Sequence, residues 1–111
     1  MNVPNAVSPE VHDARVKRDL VVVQGYLTTQ FPEHIIEVLK ENGDDIARSV
    51  RTFSIRNNGQ RYVFRVAEKV LDLNDGAIVH LRRLQVAHML RAAGTGKAVL
   101  VTTTKALIEP L

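Results

Sequence analysis

The residues best equipped for chemistry in this sequence are basic: Arg48 and Arg56 on one alternating segment, and Arg61, Arg65 and Lys69 on the next. Side chains alternate between the two faces of a strand, so positions of one parity share a face. If residues 48–56 and 61–69 pair as a hairpin about Asn58-Gly59, these cations gather on one side of it. A guanidinium holds a phosphate or carboxylate through two parallel N–H donors, so such a surface offers anion recognition. It also carries a cost, because Arg56 stands directly opposite Arg61 and like charges across a ladder repel.

Register follows from the turn. Asn-Gly suits a type I′ turn, whose two central residues both need positive φ. A two-residue loop sets Ile55 against Tyr62 and Phe53 against Phe64 on one face. The other face then pairs Arg48 with Lys69, Val50 with Ala67, Thr52 with Arg65, Ser54 with Val63 and Arg56 with Arg61, and no carboxylate accompanies them. A three-residue loop slips every side chain to the wrong side, so the pattern itself selects the shorter turn. Arg51, opposite Val66 on the apolar face, is a discord. The anion-binding reading takes Arg48, Arg56, Arg61, Arg65 and Lys69 as the contact surface for a nucleic-acid backbone or an acidic protein surface. The plainer alternative has the same side chains diverging into water, weakly coupled and screened by salt, or protecting a sheet edge from aggregation.

The elements around the hairpin follow from local signals. Residues 1–12 read as a flexible tail, although Ser8-Pro9-Glu10 also fits the start of a short helix. "LVVVQGYLTT", residues 20–29, is β-branched and nearly all apolar at its start, which favours a buried central strand. Phe31-Pro32-Glu33 then opens a helix with the apolar stripe Ile35, Ile36, Val38 and Leu39, the wet residues Glu37 and Glu41, and an end at Asn42-Gly43. Asp72, Asn74 and Asp75 are candidate caps for a helix over residues 77–93, terminated by Gly94. Helical spacing places Ile78, Val79, Val86, Met89, Leu90 and Ala93 on one side and His80, Arg83, Gln85, His88 and Arg91 on the other, with Arg82 discordant. Residues 97–104, "KAVLVTTT", form a strand and residues 106–111 a tail. The order βαββαβ predicts an α+β, ferredoxin-like split βαβ fold: a four-stranded sheet with both helices on one face and the arginine face open.

Composition narrows the function. A chain of 111 residues, 45% hydrophobic and 24% charged, makes one α+β domain over residues 13–111. It has no cysteine, hence no disulfide, thiolate nucleophile or cysteine metal site, which suits a cytoplasmic setting. No apolar run is long enough to span a membrane and no signal peptide is visible. Gly96-Lys97 lacks the remaining residues of a phosphate-binding loop, since Arg91 and Ala98 stand where glycine and a hydroxyl residue are needed. The histidines have no metal-binding spacing and read as surface residues, and Glu37 with Glu41 sits on a wet face unsuited to acid–base work. The expectation is a binding module, not an enzyme, with no cofactor. The RNA-recognition motif stacks bases on aromatics of the open sheet face; here Tyr62 and Phe64 fall on the covered side. "GYLTTQFPEHIIEVLKENGDDI" followed by a hairpin resembles ACT-type regulatory modules in layout, which implies an alternative role in small-ligand sensing at residues 25–31 or in self-association. A homodimer is expected in either case, because a small sheet leaves an edge unpaired.

Overall fold

The first apolar run does not become a strand. In the computed structural model, which describes residues 9–39, 50–73 and 76–111, Pro9–Gln30 is a single helix, α1. Its buried residues are Val16, Asp19, Val23, Tyr26 and Leu27, separated by steps of one turn, while Val21 and Val22 stay exposed. That is helical periodicity, and packing of the buried stripe overrides the strand preference of the valine run. Thr28 and Thr29 fit the helix by donating their hydroxyls to the carbonyls of Gln24 and Gly25, one turn back, at 2.8 and 3.0 Å. Residues 25–30 are therefore helical, not the ligand loop of an ACT-like layout. Pro9 is the helix's first residue, as the Ser8-Pro9 signal allows.

Phe31-Pro32 ends a helix instead of starting one. The Phe31 N–H donates to Leu27 O at 2.8 Å and the His34 N–H to Phe31 O at 3.1 Å. Pro32 thus occupies the second position of a tight turn, where its fixed φ is equally at home. The chain leaves that turn as strand β1, Ile35–Leu39, which pairs antiparallel with β2, Val50–Asn57. The expected helix stop at Asn42-Gly43, like Arg48, lies outside the described residues.

The hairpin forms as expected. Strand β3, Gln60–Ala67, pairs with β2 in the register Phe53↔Phe64, Ile55↔Tyr62 and Arg56↔Arg61. Asn58 at φ 48° and Gly59 at φ 84° make the two-residue turn. From β3 the chain passes through a 3-10 turn, Glu68–Asp72, and helices α2, Ala77–Arg83, and α3, Val86–Ala93. It returns as β4, Lys97–Val101, parallel to β3, then folds back as β5, Ala106–Pro110, antiparallel to β4. A parallel neighbour needs such a helical crossover.

Among the described residues the result is α+β with one five-stranded mixed sheet in the order β1-β2-β3-β4-β5 and three helices. It is not the ferredoxin-like βαββαβ fold. The first strand and first helix exchange identities, and the expected tail supplies an edge strand. The expected continuous helix over residues 77–93 is broken at Gln85, which adopts φ 55°. The break turns Arg82 out to solvent, removing the discord it posed. One sheet face, bearing Phe53, Ile55, Phe64, Val66, Val99 and Val101, is buried against Val16, Val23 and Leu27 of α1 and Leu81, Val86 and Leu90 of α2 and α3. Phe53 and Phe64 stack at 5.8 Å between centroids, worth about 0.5–1.5 kcal/mol beyond burial.

Candidate functional site

The apparent clash between Arg56 and Arg61 is resolved by a third strand. Although the two residues are paired across the hairpin, the Arg56 guanidinium donates to the Glu37 carboxylate on β1. Arg65 similarly donates across β4 to Glu109 on β5, at 2.9 Å. The expectation of an arginine face without carboxylates is thus corrected. The sequence places Glu37 on the wet side of a helix and Glu109 in a tail, but in β1 and β5 they stand opposite Ser54 and Ala98, on the arginine side of the sheet.

Among the described residues no hydrogen bond or ion pair engages the Arg61 side chain, which is exposed at the hairpin's end. Lys69 is carried off the sheet onto the 3-10 turn, where it is exposed and does not join the arginines. The middle of the arginine face is also not a bare, water-facing layer, since Thr52, Ser54, Val63 and Ala98 are all at most 4% exposed. What remains accessible is the hairpin's end. A recess of about 500 Å³ lies there, lined by Arg56, Arg61, Asn57, Asn58, Gln60, Glu33 and Ile35. Its chemistry is two guanidinium groups and three primary amides, bordered by a carboxylate and one apolar side chain.

Other ionisable groups are engaged within the fold. Arg51, the hairpin's discord, reaches from the start of β2 to Glu68 at 3.3 Å. The same Glu68 takes Nε2 of His12 at 2.9 Å, and Asp72 takes Nδ1 of His12 at 2.8 Å. These two hydrogen bonds, Asp72 first and then Glu68, raise the His12 pKa above its ordinary 6.5. His80, expected on the surface, is 8% exposed and donates Nε2–H to the Thr102 carbonyl at 2.7 Å. His34 packs edge-on to Phe31 at 5.4 Å and against Tyr62 at 6.0 Å. Among the described residues no group of His, Asp and Glu is suited to a metal ion, and no helix is long and apolar enough to cross a membrane. Compared with known protein families, curated proteins and solved structures, the chain matches none.

Proposed function

We propose that this chain is a non-catalytic binding module that takes an acidic segment of a partner protein at the end of the β2–β3 hairpin. The observation that carries the reading is the guanidinium of Arg61, unpaired among the described residues, beside Arg56 and over a recess that also offers the Asn58 and Gln60 amides. A rigid two-residue turn holds these donors in place, which lowers the ordering cost of binding. The carboxylates favour a protein over a nucleic acid. Glu33 borders the recess and Glu37 holds Arg56, so a continuous phosphate backbone meets repulsion where a single carboxylate placed at Arg61 meets an unmatched cation. His12, Asp19 and His80 are each committed to structural hydrogen bonds, which supports binding over catalysis.

Fluorescence anisotropy with a labelled acidic polypeptide, and separately with random single- and double-stranded oligonucleotides, tests this at low and moderate salt. Peptide binding that weakens several-fold in Arg61→Ala supports it, at about 1 kcal/mol per lost charge-assisted contact. Tight oligonucleotide binding with a steep salt slope transfers the reading to nucleic acid, and absence of binding to any probe sinks it.

Self-association is a second reading, favoured by β5. It is an edge strand bearing Leu107 and Ile108, 40% and 44% exposed, and an apolar edge of this kind is what a second copy pairs with. Sedimentation showing a dimer that Ile108→Lys disperses supports it, and a monomer at all concentrations removes it.

A further inference from the structure

A second polar concavity lies away from the hairpin, between the end of α1 and the corner joining α2 to α3. It is a shallow depression of about 410 Å³, open to solvent and lined by Tyr26, Gln30, Arg82, Gln85, Ala87, His88 and Arg91. The described residues lining it include no carboxylate. We propose that this crevice binds a compact phosphate-bearing small molecule.

Four features converge on that chemistry. The Tyr26 residue is 8% exposed, and its oxygen accepts the Ala87 N–H at 3.3 Å. A phenol that accepts still has its own proton to donate, and among the described residues that proton has no acceptor. Gln85, the residue ahead of α3, gives no side-chain cap, so beyond the Ala87 N–H already held by Tyr26 the remaining first-turn N–H groups and the positive end of the helix face the same region. Arg91 is held in place by donating to Gln30 O at 2.6 Å and by lying over the Phe31 ring at 4.8 Å, leaving further guanidinium donors free. Arg82, exposed and outside any ion pair among the described residues, supplies a second cation. A dianionic phosphate satisfies a phenol, helix amides and two guanidinium groups at once, and 410 Å³ leaves space for a small organic group attached to it.

Titrating the ¹⁵N-labelled chain with inorganic phosphate and with a mononucleotide, at fixed ionic strength, tests the site by amide chemical shifts. Saturable shifts at Gln85, Val86, Ala87 and His88 are expected, with affinity reduced about tenfold in Arg82→Ala and about fivefold or more in Tyr26→Phe. Arg82 is exposed, so its variant remains decisive even if Tyr26→Phe lowers stability. Tighter binding of the mononucleotide places its sugar or base in the crevice, whereas equal affinity confines recognition to the phosphate; both support the site. No saturable shift, or shifts undiminished in Arg82→Ala, overturns it. So does affinity that grows only with oligonucleotide length, which marks a diffuse charged surface. A response confined to the hairpin and lost in Arg61→Ala overturns the crevice while leaving the hairpin reading intact; a crevice response with a silent hairpin separates the two in the other direction.

Discussion

The carboxylate of Asp19, midway along α1, accepts the backbone N–H of Ala77, the first residue of α2, at 3.0 Å. The residue ahead of that helix is Gly76 at φ 85°, which has no side chain to cap it. The cap therefore comes from another helix, 58 positions away in sequence. Asp19 is 2% exposed, and its charge is met by the helix's positive end and by Arg18 Nε at 3.0 Å. Asp19→Ala removes a charge-assisted hydrogen bond and strands a buried N–H, so it is expected to cost about 1.5–3 kcal/mol. Asp19→Asn keeps an acceptor and is expected to recover part of that loss. Arg18→Ala, at a side chain 57% exposed, is expected to cost under about 0.5 kcal/mol. Urea unfolding of the three variants checks the order; a negligible loss in Asp19→Ala refutes the cap.

The N-terminal half of α1 is fastened by charge. Both ring nitrogens of His12 face carboxylates, Asp72 and Glu68, an arrangement that favours the doubly protonated imidazolium. Arg15 also meets Asp72, at 3.4 Å, and Arg51 meets Glu68. Because the folded pKa is raised above 6.5, the contact's stabilisation is fully present below about pH 6.5 and is lost as pH rises through the folded value. The stability difference between the natural chain and His12→Gln is expected to shrink with rising pH above 6.5. Urea midpoints measured across that window check it, and a difference that grows with pH contradicts the sign.

How far the sequence foretold this depended on which signal was local. Asn58-Gly59 and the alternation of Phe53, Ile55, Tyr62 and Phe64 suffice for the hairpin and its register, because both turn chemistry and period lie within the paired segments. The helix α1 was hidden because Val21 and Val22 fill an apolar run without being buried, while the true stripe spreads from Val16 to Leu27. Pro32 suits both a helix start and a turn, and only the partner strand β2 decides between them. The arginine side was legible, but its carboxylates were not. The side that Glu37 faces depends on its being in a strand, and Glu109 belongs to a short edge strand ending in Pro110. The crevice depends on a helix break with neither glycine nor proline to mark it.

That break makes its own prediction. Gln85 at φ 55°, ψ 48° is left-handed, a conformation costing a side-chain-bearing residue about 1–2 kcal/mol. Glycine removes that cost but adds about 0.5–1 kcal/mol of unfolded-state freedom. Gln85→Gly is therefore expected to raise stability by up to about 1 kcal/mol, and Gln85→Val to lower it by more than that. Thermal melts of both variants decide; a clearly destabilised glycine variant shows that the glutamine side chain contributes more than its backbone costs.

The pairing of Arg56 with Glu37 gives the hairpin reading its sharpest test, because stability and binding are expected to move in opposite directions. Both partners are about half exposed, so Glu37→Gln is expected to change stability by no more than about 1 kcal/mol, and downward, since Arg56 is then left facing Arg61. The same substitution releases Arg56 over the recess it shares with Arg61. Affinity for an acidic polypeptide is expected to rise about three- to tenfold, the yield of one added charge-assisted contact. Glu109→Gln releases Arg65 instead, which does not line the recess, and is expected to leave affinity nearly unchanged. Anisotropy on the two variants separates a site at the hairpin's end from a general rise in positive charge: equal gains in both point to charge alone, and a fall in Glu37→Gln makes the carboxylate itself the contact.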